Sequence, residues 1–125
     1  MKLSMPAWKD DRYISLAEIL LNIGKSLINM QWYAHIDEVA PEPGADKLEA
    51  LSPMTPINIF ELLHLVTPNI QIIDGEIIAK DETKTGNPYL LLRAVDSTSW
   101  DIETNLDHIA LELKALYPEL TDIDY

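Results

Sequence analysis

Cysteine is absent from this 125-residue sequence, and glycine occurs only four times. The absence of cysteine excludes disulfides, thiolate zinc sites, iron–sulfur clusters and cysteine nucleophiles. It favours a cytoplasmic location, although a periplasmic one is also compatible with it. The glycines are too far apart for a phosphate-binding loop or a dinucleotide-binding turn, and neither a G-x-S-x-G nor an H-E-x-x-H motif occurs. We therefore expect no cofactor and find no recognisable catalytic motif.

Long apolar runs are also missing, because charged residues and prolines interrupt every hydrophobic stretch well before the roughly 18 residues of a membrane span. The first residues contain one lysine but no apolar segment behind it, so no signal peptide is expected. Hydrophobic residues nevertheless make up 47% of the sequence, enough for a buried core. At this length we expect a single domain covering residues 1–125.

Basic residues are scarce: 9 lysines and arginines face 21 aspartates and glutamates, for a formal net charge of −12. The imbalance is greater in residues 63–125, with four basic and twelve acidic side chains, than in residues 1–62, with five and nine. Such a charge repels phosphate backbones and anionic membranes, so we expect no direct binding of nucleic acid or membrane. It speeds the encounter with a basic protein partner, but it also serves plain solubility.

Hydrophobic periodicity predicts two helices in the first half of the chain. The first begins at the capping box Ser15-Leu16-Ala17-Glu18 and extends over roughly residues 16–28. The second begins at Thr55-Pro56, with Thr55 as the cap and Pro56 at the first helical position, and is ended by Pro68. Between them, alternation over residues 32–37 predicts a short strand. The proline-rich stretch 38–56 predicts a long connection with one helical turn near residues 46–51.

The second half predicts a sheet and a closing helix. Strands at residues 70–73 and 76–79 flank Asp74-Gly75, which is typical of a two-residue type I′ turn. Further strands are predicted at residues 89–95 and 100–103, and a helix capped by Thr104 follows. The predicted fold class is α+β: an antiparallel β-meander of about four to five strands, with two N-terminal helices and a C-terminal helix packed on it.

Acidic residues are concentrated on the predicted meander and on the last helix. If they converge, they form an acidic face that suits a lysine- and arginine-rich partner. A solvated charged surface is the alternative, because exposed charge is the default in proteins. The candidate residues of this face are Glu76, Asp81, Glu82, Asp101, Glu103, Asp107 and Glu112.

The predicted strand at residues 32–37 carries a second candidate site. Its residues Tyr33, His35 and Asp37 alternate and would share one face, with neighbours about 6.5–7 Å apart. Together with Arg93 they would line a pocket for a small ligand or an acid–base pair, provided that other groups converge there. The three histidines of the chain have no metal-ligand spacing, so no metal site is expected.

Four functional hypotheses remain. The first is an acidic protein-binding module, an inhibitor of the immunity-protein type that neutralises a basic toxin or nuclease by occluding its active site; it rests on size and charge, with no shared motif. The second is a DNA mimic, which needs regularly spaced acids. The third is a small enzyme or ligand-binding domain with the pocket described above. The fourth is a structural subunit with a large apolar patch. The lack of a catalytic motif favours the first.

Overall fold

The computed structural model describes residues 1–40, 44–67 and 70–123. In these ranges the chain forms a six-stranded antiparallel sheet, a two-stranded β-ribbon and four α-helices, which confirms the predicted α+β class. None of these helices has both the length and the hydropathy of a membrane span. The strands are β1 (Lys2–Pro6), β2 (Trp8–Lys9), β3 (Arg12–Tyr13), β4 (Gln31–Ala40), β5 (Gln71–Lys80), β6 (Tyr89–Val95), β7 (Ser99–Thr104) and β8 (Thr121–Asp122). The helices are α1 (Leu16–Ile23), α2 (Gly44–Glu49), α3 (Ile59–Val66) and α4 (Asp107–Leu116), and a 3₁₀ turn over Gly24–Leu27 extends α1.

The main sheet has the strand order β4-β5-β6-β7-β1-β8, and every pairing in it is antiparallel. One row of directly opposed residues runs through Ala34, Ile77, Leu92, Ile102 and Leu3, and all five are buried. The buried residues of the four helices belong to the same core cluster as this row. Because side chains alternate along a strand, the helices cover one face of the sheet and leave the other uncovered.

Helix α1 begins as predicted, since the Ser15 hydroxyl accepts a hydrogen bond from the Glu18 amide at 3.1 Å. The predicted start of the second long helix at Thr55-Pro56 is wrong. Helix α3 begins at Ile59, where Asn58 and Glu61 form a complete capping box. That reciprocal pair of hydrogen bonds satisfies two backbone amides, which Thr55 and Pro56 do not. The predicted stop at Pro68 lies outside the described residues.

The predicted turn at Asp74-Gly75 is also wrong, because β5 runs unbroken from Gln71 to Lys80. Gly75 lies in mid-strand, opposite Ile36 on one side and Ala94 on the other. A Cβ atom there would come within 3.1 Å of the His35 carbonyl oxygen, so the glycine permits close approach of strand β4. Beside it, β4 has a register irregularity between Ile36 and Val39.

Other boundaries differ from the prediction because the contacts that set them are long-range. Strands β1 and β8 were not predicted; β1 pairs with β7, nearly 100 residues away in the sequence. Strand β4 continues to Ala40, into the stretch expected to be a connection, of which residues 41–43 lie outside the described ranges.

Thr104 does not cap α4, which begins at Asp107. The Thr104 hydroxyl instead donates to the Tyr89 carbonyl at 2.7 Å and accepts from the Leu106 amide.

Candidate functional site

The face of the main sheet that the helices leave open is called here the uncovered face. None of its side chains is buried, and all come from strands β1 and β4–β7. Its residues are Lys2, Ser4, Pro6, Gln31, Tyr33, His35, Asp37, Glu38, Asp74, Glu76, Ile78, Lys80, Tyr89, Leu91, Arg93, Val95, Ser99, Asp101 and Glu103. An antiparallel sheet with one open face normally makes that face polar. Here large apolar side chains lie among the charges.

A charged row crosses the uncovered face through directly opposed residues: His35, Glu76, Arg93, Asp101 and Ser4. The Arg93 guanidinium donates to Glu76 through Nε at 2.8 Å, and its Nη2 lies 2.8 Å from the same oxygen. The Ser4 hydroxyl donates to Asp101 at 2.8 Å. Cross-strand pairs of this kind hold the carboxylates in fixed positions on the face.

An apolar strip, made of Tyr33, Ile78 and Leu91, lies in the next row and is half-buried. Both of its ends carry charge. The Lys80 ammonium lies 5.5 Å from the centre of the Tyr33 ring, and Glu103 follows Leu91 in the row. An apolar strip bordered by charged groups is the make-up of a protein–protein interface.

Glu103 is held in place by two neighbours. It accepts a hydrogen bond from the Tyr89 hydroxyl at 3.1 Å, and it lies 3.6 Å from the Lys2 ammonium. Burial, followed by the hydrogen bond to Glu103, raises the pKa of Tyr89 above its ordinary value. The tyrosine therefore stays a neutral donor to this carboxylate at physiological pH.

A cavity of about 210 Å³, called here the hollow, opens on the uncovered face beside the irregularity in β4. It is lined by His35, Asp37, Asp74, Gly75, Glu76 and Arg93. The structure thus brings together three residues of the predicted pocket, His35, Asp37 and Arg93, whereas Tyr33 lies on the same face outside the hollow. Asp74 was missed because the sequence analysis placed it in a turn. The sequence pattern at Asp74, an acid next to a glycine inside an apolar strand, is also typical of a close approach between two strands.

The side chains that line the hollow are suited to binding a charged group. The His35 Nε2 atom lies 3.4 Å from Asp37 Oδ1, and both side chains are about two-thirds exposed (66% and 68%). No serine or threonine hydroxyl lines the hollow. Within the part of the chain that the structure describes, no three His, Asp or Glu side chains are grouped so that they could hold a metal ion.

The predicted acidic residues do not form one continuous surface. Glu76, Asp101 and Glu103 lie on the uncovered face, whereas Asp107 and Glu112 are on α4, on the other side of the sheet. Asp81 and Glu82 follow the end of β5 and line a cleft of about 520 Å³ with Lys80 and Tyr89.

Asp81 has a local structural role. It is buried and accepts hydrogen bonds from the backbone amide and the hydroxyl of Thr83. The hydroxyl bond, with smaller help from the backbone bond and from Lys84, lowers the pKa of the Asp81 carboxyl. This carboxylate therefore shapes the loop after β5, where Asp and Thr commonly bond their own backbone.

No protein-family model, no curated protein and no solved structure matches this chain. Function is therefore inferred from the residues and contacts of the uncovered face.

Proposed function

We propose that this protein is an acidic protein-binding module that recognises a basic partner through its uncovered face. The partner class that fits best is a basic toxin or nuclease, which the protein would neutralise in the cytoplasm in the manner of an immunity protein. The observation that carries the proposal is the uncovered face itself, where a half-buried apolar strip of Tyr33, Ile78 and Leu91 lies directly beside a row of fixed charges.

Charge supports a basic partner. The uncovered face carries six carboxylates against the three cations Lys2, Lys80 and Arg93, and the whole chain has a formal net charge of −12. Such a field attracts a positively charged protein and speeds its association, with an effect that weakens as salt screens the charges. The carboxylates are Asp37, Glu38, Asp74, Glu76, Asp101 and Glu103.

The mechanism of inhibition follows from this arrangement. A nuclease binds phosphates with lysine and arginine side chains, so a carboxylate such as Asp101, held in place by the Ser4 hydroxyl, offers those side chains an alternative partner. The apolar strip adds buried area that phosphates lack, which stabilises the complex once it has formed. A partner seated across the sheet in this way covers its own substrate site.

The geometry gives less support to the alternative functions. The hollow, at about 210 Å³, is smaller than the roughly 300–1,000 Å³ of typical small-molecule sites. Its Arg93 and Glu76 are already paired through Nε, Nη2 and one carboxylate oxygen, which leaves fewer free groups for catalysis. A DNA mimic needs its acids along one surface, whereas Asp107 and Glu112 lie on the opposite side of the sheet from Glu103.

The test is affinity capture from the native cell with the full chain immobilised, at low and moderate salt. Two charge reversals are compared: Glu103→Lys on the uncovered face and Glu112→Lys on α4. The proposal predicts one basic protein that is retained at low salt, released as salt rises, lost with Glu103→Lys and kept with Glu112→Lys. Circular dichroism checks that both variants are folded.

Two results would contradict the proposal. One is the capture of no specific basic protein. The other is equal loss of the partner with both reversals, because this would mean that net charge alone governs retention. If a nuclease is captured, its activity on nucleic acid is expected to fall to background at a one-to-one ratio with this protein.

A further inference from the structure

The hollow has a definite place on the uncovered face. Its floor is formed where β5 passes the irregularity in β4, at Gly75, and its walls are charged side chains from β4, β5 and β6. A Cβ atom at position 75 would lie 3.1 Å from the His35 carbonyl oxygen and from the Ile36 Cα atom, so a larger residue would need the two strands to move apart by a few tenths of an ångström. The hollow is therefore built by the strands themselves.

Size limits what the hollow can hold. At about 210 Å³ it is far larger than the roughly 10–15 Å³ of probe-occupied volume that one water needs. It is also below the range of drug-sized ligand sites, which begins near 300 Å³. An occupant of intermediate size, such as one long amino-acid side chain, fits between these limits.

The charges of the residues that line the hollow decide which kind of side chain it can hold. Three carboxylates, Asp37, Asp74 and Glu76, face one guanidinium, Arg93, so the rim is negative. Glu76 is already paired with Arg93, and one oxygen of Asp74 accepts the Asp96 backbone amide at 2.9 Å. Asp37 is more accessible, since 68% of its side chain is exposed and its ion-pair contact among the described residues is with His35 at 3.4 Å. It is the carboxylate best able to receive a new cation.

We infer that the hollow receives one lysine or arginine side chain of the basic partner, with Asp37 and Asp74 pairing with its charge. This inference rests on the proposed function and identifies the chemistry of its anchor. Arginine fits better than lysine, because a planar guanidinium can pair with two carboxylates at once. The residues that flank this side chain in the partner then lie over the apolar strip of Tyr33, Ile78 and Leu91.

The test is an NMR titration of the full-length protein with three small probes: the N-acetyl amides of arginine, lysine and citrulline. Citrulline has nearly the shape of arginine but no charge. The inference predicts saturable shifts of the backbone amides at residues 35–37 and 74–76, strongest with the arginine amide and weakest with the citrulline amide. Equal shifts with citrulline, or arginine shifts spread evenly over all acidic surfaces, would overturn it.

A matched pair of variants sharpens the result. Asp37→Asn removes one charge at the hollow, and Asp46→Asn removes one from the exposed side of α2. Asp37→Asn is expected to weaken arginine-amide binding roughly two- to fivefold, the range of a single exposed ion pair, and Asp46→Asn to leave it unchanged. Equal effects of the two variants would overturn the inference.

Its failure is distinguishable from failure of the proposed function. If the captured basic protein binds Asp37→Asn as tightly as it binds the unaltered chain, the hollow is not the anchor although the partner is real. If the hollow selects the arginine amide but no basic protein is captured, the cation preference is confirmed and the proposed function is wrong.

Discussion

Two tryptophans, Trp32 on β4 and Trp100 on β7, are completely buried in the core but differ in one hydrogen bond. The Trp100 Nε1 atom donates to the Ile14 carbonyl oxygen at 2.8 Å, which ties the sheet to the segment before α1. The Trp32 Nε1 atom has no acceptor among the described residues. Replacing each by phenylalanine removes a similar apolar volume, but at Trp100 it breaks this hydrogen bond and at Trp32 it removes an unpaired donor, so both differences act in the same direction.

The expected difference follows from the energetics of buried polar groups. Both substitutions remove the same atoms from a fully buried site, so their packing costs are similar. Trp100→Phe additionally leaves the Ile14 carbonyl without this donor, which costs about 1–2 kcal/mol. We expect Trp100→Phe to lower the free energy of unfolding by about 1–2 kcal/mol more than Trp32→Phe does.

The assay is equilibrium unfolding in urea followed by far-UV circular dichroism, which does not depend on the removed indoles. The denaturant slope of each variant should match that of the unaltered protein, so that the comparison concerns stability alone. Equal losses for the two variants, or a larger loss for Trp32→Phe, would refute the role assigned to the Trp100–Ile14 hydrogen bond.

Two further predictions concern stability. Burial raises the pKa of Tyr13 to about 12, so the stability that this neutral tyrosine contributes is complete below pH 10 and is lost as pH rises through 12. Between pH 8 and pH 11 the loss of stability seen in urea unfolding should be smaller in Tyr13→Phe than in the unaltered protein, while the part that comes from Tyr89, whose pKa burial also raises, remains; an equal loss in the two proteins would contradict the assignment. Because Asn58 caps α3, Asn58→Ala is expected to destabilise the protein by about 1 kcal/mol and Thr55→Ala by much less. Thermal unfolding of the two variants measures this difference. A larger loss for Thr55→Ala would mean that the helix is capped at Thr55 and not at Asn58.

Local signals predicted those elements whose stabilising contacts are themselves local. The first helix was located correctly at its start because Ser15 and Glu18 form their hydrogen bond within one turn. The start of α3 was predicted wrongly because Thr55 and Asn58, three residues apart, are both typical cap residues. Only Asn58 has a partner, Glu61, at the position that completes a capping box. Asp74-Gly75 is a strong hairpin signal, but it was overridden by pairing of β5 with a strand about 40 residues earlier.

The candidate site was predictable in its parts but not as a whole. The two-residue period of a strand places Tyr33 and His35 on one face, as expected. Their meeting with Glu76 and Arg93 depends on the register of three strands, which no local pattern contains. Whether α4 carries Glu112 to the same side as Glu103 depends on which face of the sheet the helix covers, and that is decided by tertiary packing.

The central claim is that the partner binds the uncovered face and not the helical side. The most direct measurement places a photocrosslinking amino acid, p-benzoylphenylalanine, at Ile78 in the apolar strip or at Leu111, which is exposed on α4. Each version is irradiated in its native cell, and the products are identified by mass spectrometry. We expect one basic protein to be crosslinked from position 78 and not from position 111. The same protein crosslinked from position 111 alone would contradict it.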